Sequence, residues 1–241
     1  MAISFVGAGA QGTMYGGNIT GYWPVGYTPV IGDLALFISI GRPFVLGSEV
    51  PTAPTGYTFM GTVYHTSAFQ ICVWYKVLDG TETDPVINIS TSSSYYGSAY
   101  GISVQTAIYR GVDQTTPFDV NYVTNTSAGT ASSYTPNAVT TVTDGAWCLS
   151  IVGTTDDNAI FSSPTQGFTE RMSGANYDTN VWGDYSFGLA DYEQATAGLV
   201  SMLTWRQGIN GTDSWYVITT ALRPAPAIIP NGYWGVSSSI V

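Results

Sequence analysis

Apolar residues recur along this chain at every second position in short runs, and Gly, Pro, Asn and Asp separate the runs. That is the signature of many strands joined by short turns. The clearest of about a dozen runs are Ala2–Val6, Gly32–Ile40, Tyr57–Tyr64, Phe69–Leu78, Val86–Ile89, Ile102–Tyr109, Val139–Thr143, Ala146–Gly153, Gly167–Met172, Leu199–Trp205 and Trp215–Leu222. No window carries a 3.6-residue apolar period over a helical length. Leu34, Leu36, Ile38 and Ile40 fall on one face of their run, with Ala35, Phe37 and Ser39 on the other. Ile71, Val73, Tyr75 and Val77 likewise oppose Cys72, Trp74, Lys76 and Leu78. Both faces are largely apolar, so these two strands are expected to be central. Thr58, Met60, Thr62 and Tyr64 alternate against Phe59, Gly61, Val63 and His65, a mixed pattern suited to a half-exposed strand. Two packed antiparallel sheets satisfy both patterns, and the expected fold is an all-β, antiparallel β-sandwich.

Turn chemistry supports the division. Gly41-Arg42-Pro43, Pro54-Thr55-Gly56, Asp79-Gly80 and Asp144-Gly145 each sit at the end or start of a run. The Ser- and Tyr-rich stretch Ser90–Ser98 and the Thr-, Ser- and Ala-rich stretch Asn121–Asn137 read as long surface loops. A single domain is expected over residues 1–223, with no internal repeat. Residues 224–241 then read as a Pro-rich linker and an extended C-terminal arm, in which Tyr233 and Trp234 pack either on their own domain or on a neighbouring subunit.

Composition narrows the function. The 241 residues include 6 Lys or Arg and 16 Asp or Glu, a formal charge of −10. One lysine, Lys76, and five scattered arginines form no basic face, which argues against nucleic acid and anionic membrane surfaces as partners. The acidic excess reads as a device for solubility. Cys72 and Cys148 lie inside strand-like runs and read as buried thiols. Met1–Gly7 lacks the features of a secretory signal, and apolar stretches are far shorter than the roughly 18 residues of a membrane span. Synthesis in a reducing cytoplasm is the matching expectation.

Catalytic signals are weak. His65 is the single histidine, no Gly-x-Ser-x-Gly elbow occurs, and one His with two distant Cys does not make a zinc set, so no catalytic residue, metal or cofactor is assigned. Gly7-Ala8-Gly9-Ala10-Gln11-Gly12 has dinucleotide-loop spacing, but Thr13–Thr20 is a poor helix and Asp33 opens a strand. Those glycines read as a flexible leader between strands. The acidic turns Asp79–Asp84 and Asp156-Asp157-Asn158 have oxygen ligands for calcium without the spacing of a calcium loop, and read as solvated caps. Two carboxylates facing each other for glycoside cleavage have no sequence signature. Tyr95, Tyr96 and Tyr100, in a Ser/Tyr/Gly stretch, have the chemistry of a recognition loop or a subunit interface. Tyr22, Trp23 and Tyr27 form a second aromatic group, read as core packing.

A series of segments adds to this reading. It comprises Gly32-Asp33-Leu34-Ala35-Leu36-Phe37 with Gly41-Arg42-Pro43, Pro51–Tyr57, Val73–Glu82, Ile108–Asp113 with Pro117-Phe118-Asp119, and Asp144-Gly145-Ala146-Trp147. In this order they resemble a group of β-sandwich virion structural proteins of tailed bacteriophages, over roughly Gly32 to Gly153. The resemblance implies a jelly-roll-like or lectin-like module at the virion surface, made in the bacterial host cytoplasm. It would be a capsid decoration or cement protein bridging coat subunits, with the major capsid protein as partner. The alternative is a tail or tail-fibre component that binds a host carbohydrate. It further implies a homo-oligomer, with a trimer favoured, and carries over no active-site residue.

Overall fold

The computed structural model describes residues 1–14, 17–41, 51–65, 69–89, 102–155, 160–162, 167–176, 185–208 and 213–227. Eleven strands build two facing antiparallel sheets. The first contains β1 (Ser4–Ala8), β4 (Leu34–Gly41), β5 (Thr58–His65), β6 (Phe69–Val77) and β8 (Ile102–Arg110) in the order β1-β8-β4-β6-β5, with β2 (Gly12–Met14) also on β8. The second contains β9 (Phe118–Ala131), β12 (Ala146–Thr154), β14 (Thr169–Asn176), β15 (Tyr185–Gln194) and β18 (Asp213–Leu222) in the order β14-β15-β12-β18-β9. The all-β sandwich expected from the alternation is the observed architecture.

The main core lies between the sheets. Leu34, Leu36, Ile38 and Ile40 of β4 and Ile71 and Val73 of β6 meet Leu149 and Ile151 of β12, Phe187 and Leu189 of β15 and Ile218 of β18. The opposite faces are buried too. Phe37, Cys72, Trp74 and Val104 pack beneath the short pair β3 (Gly17–Thr20) and β7 (Val86–Ile89). On the other sheet Cys148, Val152, Ala190 and Val217 are covered by Trp205 and Leu203. The small strands on that side are β10 (Ser133–Tyr134) and β13 (Ile160–Ser162), both on β17 (Trp205–Gln207), and β11 (Val139–Thr140) on β16 (Leu199–Val200). This double covering explains why the central runs are apolar on both faces. The two thiols are free and buried on the outer faces of different sheets.

Each sheet is drawn from one half of the chain, and the halves share one topology. Numbered within its own half, each sheet has the order 1-5-2-4-3. The register agrees as well: Leu34 pairs Tyr109 and Val77, while Trp147, 113 residues later, pairs Leu222 and Glu193. A bulge at Phe59/Gly61 is matched at Glu170/Met172, and one at Phe5/Gly7 at Phe118/Val120. Gly32 and Gly145 precede the two central strands with φ of 87° and 74°, and Gly56 and Gly167 precede the two third strands with φ of 78° and 80°. These are left-handed conformations that glycine adopts without strain. β1 lies against β14 and β5 against β9, so an approximate two-fold axis runs along the strands. The segments following β8 and β18 meet on it, with Val112 bridging Pro224, Asp113 N–H donating to Arg223 O and Ala225 N–H to Gly111 O. The expectation of no internal repeat is therefore corrected.

Other expectations change for physical reasons. Much of Asn121–Asn137, read as a loop, belongs to β9, a 14-residue strand. It is a sheet edge, paired only with β18, and an edge tolerates the Thr, Ser and Asn that looked loop-like. The leader around Gly7–Gly12 is instead β1 and β2, both hydrogen-bonded to β8. A Cβ on Gly9 would lie 1.6 Å from Tyr22 O, so glycine is required there by close backbone approach. Strand β15 was missed because Ser186, Gly188 and Ala190 make its outer face small, leaving room for Trp205, whose ring lies 2.9 Å from a Cβ built on Gly188. In β5 the bulge turns Met60 and Val63 both toward the core and leaves Phe59 on the outside. The proposed loop Ser90–Ser98 lies outside the described residues.

Candidate functional site

The buried ionisable groups hold strand ends. Asp33, 1 % exposed, accepts Arg110 Nε at 2.8 Å, Arg110 Nη2 at 2.7 Å and the Tyr27 hydroxyl at 2.9 Å. Asp191, also buried, accepts Arg171 Nε at 2.8 Å and the Tyr109 hydroxyl at 3.0 Å, joining the two sheets. Burial raises the Asp191 carboxyl above the usual carboxylate range, against the pull of the Arg171 charge. Arg171 also stacks over Phe5 at 4.8 Å. Asp119 accepts the N–H of Val142 and of Thr143 and lies 3.6 Å from Arg223 Nε. Among the described residues, the hydrogen-bond and ion-pair partners of these three carboxylates are arginines, tyrosine hydroxyls and backbone N–H groups.

The described residues form an open cleft of about 390 Å³, lined by Thr55, Tyr57, Lys76, Glu82, Thr83 and Asp84, with Pro85 and Val86 at its side. The Gly56 turn forms one wall, and the connection from Asp79 to Val86 the other. Lys76 Nζ pairs with Glu82 Oε1 at 2.9 Å and lies 4.0 Å from Asp79. Glu82 closes its turn by accepting the N–H groups of Asp79 at 2.8 Å and Gly80 at 3.0 Å. Burial alone would raise the Glu82 carboxyl; the Asp79 N–H and the Lys76 ammonium outweigh it and leave it below its ordinary value. The Asp79 carboxyl is lowered by hydrogen bonds from the Thr81 hydroxyl and N–H. Asp84 accepts Trp23 N–H at 2.9 Å, tying the cleft to the 22–31 loop. The Tyr57 hydroxyl is buried at the cleft without a hydrogen-bond partner, and burial, ahead of the Glu82 charge, raises its pKa far above the usual phenol value.

The expected sites fare unevenly. Tyr95, Tyr96 and Tyr100, the arm residues Tyr233 and Trp234, the His65 side chain and Asp156-Asp157-Asn158 lie outside what the structure describes. The Asp79–Asp84 turn carries backbone caps and a lysine pair, and no group of three potential metal-ligating side chains occurs among the described residues. Trp23 and Tyr27 pack edge to face over Ala35, Leu78 and Ile108, whereas Tyr22 is 46 % exposed. The cleft itself was not anticipated. Its signal was the chain's one lysine, placed at the end of an apolar strand and followed at once by the acidic turn.

The turn-bearing end of the sandwich also exposes apolar side chains. Val25, Val30 and Ile31 project from the first half, and Val142 and Leu199 from the second. The described chain ends nearby: Pro224 lies 3.9 Å from a Cβ built on Gly145, and Ala225 O accepts the Met1 ammonium at 2.9 Å. Comparison with protein-family models, with curated proteins and with solved structures gives no match to this chain.

Proposed function

We propose that this chain is a non-enzymatic structural protein of a bacteriophage virion, a capsid decoration protein that bridges neighbouring coat subunits. The observation that carries this reading is the set of exposed apolar tips, Val25, Val30, Ile31, Val142 and Leu199, at the end of the sandwich where Pro224 and Ala225 lie. Exposed apolar patches of this kind mark association surfaces. Residues 228–241 carry no charged side chain and include Tyr233 and Trp234; extended, they reach on the order of 45 Å, enough to contact an adjacent subunit. The commitment of the buried carboxylates to arginines and backbone N–H groups supports a mechanical role, and the charge of −10 suits an outward position on the particle. In this reading the chain assembles as a homo-oligomer, a trimer by preference, on the major capsid protein. Reconstruction of whole particles by electron microscopy tests it: the sandwich is expected in density outside the coat, and its absence from purified particles rejects the reading.

A second reading, a tail component that binds host carbohydrate, is favoured by the polar cleft at Tyr57 and Lys76. Reconstructed density at the tail instead of the capsid selects it.

A further inference from the structure

We infer that the cleft between Tyr57, Lys76 and Asp84 is a binding site for a neutral saccharide. The inference is independent of where the chain sits on a particle and needs only the local geometry. The cleft's volume falls within the roughly 300–1,000 Å³ of small-ligand sites. Its lining has donors in Tyr57 Oη and Lys76 Nζ, acceptors in Glu82 and Asp84, and the hydroxyls of Thr55 and Thr83, which serve as both. Pro85 and Val86 add an apolar surface beside them. A pyranose presents the complement: a rim of hydroxyls that donate and accept, and a C–H face that packs on apolar side chains.

Two observations sharpen the assignment. The Tyr57 hydroxyl is a buried donor with no protein partner, a state that costs free energy unless a ligand or water fills it. Lys76 is already neutralised by Glu82 at 2.9 Å, while Asp84 also lines the cleft and Asp79 lies 4.0 Å from the same ammonium. An anionic sugar would meet those carboxylates, so the ligand is uncharged. In the opposite half the position equivalent to Tyr57 is Phe168, which lacks the hydroxyl and stacks on Tyr192 at 5.3 Å. The site therefore belongs to one half of a duplicated frame, as expected where function departs from the shared scaffold.

The test is titration of the isotope-labelled protein with methyl glucoside, methyl galactoside, methyl mannoside and N-acetylglucosamine, followed by amide shifts. At least one sugar is expected to move Tyr57, Lys76 and Thr83 saturably, and Tyr57→Phe, which keeps the ring, should weaken it about tenfold. Thr83→Val, at an exposed position where folding is not at stake, should weaken it as well. No shift with any of the four, shifts unchanged in both variants, or tighter binding of N-acetylneuraminic acid would overturn the assignment.

Discussion

The two flanks of the sandwich occupy equivalent places in the duplicated frame and are filled with opposite chemistry. Where β8 and β1 meet β15 and β14, the sheets are joined by polar groups: Ser103 Oγ and Tyr185 Oη at 2.6 Å, and the Tyr109–Asp191–Arg171 set with Arg171 over Phe5. On the other flank the corresponding places hold Tyr216 stacked on Phe69 at 4.8 Å, and Tyr75 edge-on to Phe118 at 4.9 Å. Register equates Tyr185 with Phe69, Asp191 with Tyr75, Arg171 with Met60 and Phe5 with Phe118. The frame thus fixes where side chains meet, and leaves open whether they meet as hydrogen-bonded charges or as rings.

The largest effects come from removing one member of either set. Asp191→Ala leaves the buried Tyr109 hydroxyl and the half-buried Arg171 without their acceptor and should cost about 3–5 kcal/mol; Phe69→Ala on the opposite flank should cost a similar ~3–5 kcal/mol through the cavity it opens. Chemical denaturation checks both, and equal losses would show that the flanks bear comparable load. A more incisive variant copies one flank onto the other: Tyr109→Leu, Arg171→Met and Asp191→Tyr together should be neutral or stabilising by ~1–4 kcal/mol, since they replace a hydrogen-bonded ion pair with a packing already used at Leu222, Met60 and Tyr75. A loss as large as that of Asp191→Ala would refute the equivalence. Tyr185→Phe, which removes one inter-sheet hydrogen bond and imitates Phe69, should cost only ~0.5–1.5 kcal/mol in the same assay.

Acidity should separate the regions by sign. Glu82 and Asp79 titrate below their ordinary values, so the stability they give their turn is present above the usual carboxylate range of about 4 and is lost as pH falls through their folded values. Asp191 is raised by burial, so the folded state binds its proton more readily than the unfolded chain, and acidification favours folding at that site. Hydrogen exchange, corrected for intrinsic rate, should therefore quicken at Asp79 and Gly80 as pH falls below about 4 while the β14–β15 ladder stays protected. Simultaneous loss in both places would contradict the assignment.

The alternation in Leu34–Ile40 and Phe69–Leu78 placed residues on the correct sides: Leu34, Leu36 and Ile38 fall in the inter-sheet core, and Phe37, Cys72 and Trp74 beneath the outer strands. The duplication stayed hidden because likeness survives at isolated points, such as Gly56-Tyr57-Thr58 with Gly167-Phe168-Thr169 and Arg110 with Arg223. The spacing between equivalents also drifts, from 113 residues at Leu36 and Leu149 to 111 at Gly56 and Gly167 and 116 at Val73 and Leu189, because connections differ in length. Neither β9, polar at its exposed edge, nor β15, thinned to make room for Trp205, carries the alternation that identifies a strand. The cleft escaped notice for another reason: Tyr57 and Glu82 are far apart in sequence, and only the pairing of β5 with β6 brings their segments together.

Adhesion through the apolar end is the account's central claim, and ending the chain at Ala227 tests it most directly. This cut keeps Pro224 and Ala225, which still pair with Val112, Gly111 and Met1, so the melting temperature should match that of the full chain. Sedimentation of the isolated protein and its occupancy on particles should both show weakened association. Full occupancy and an unchanged oligomer from the shortened chain would contradict the claim.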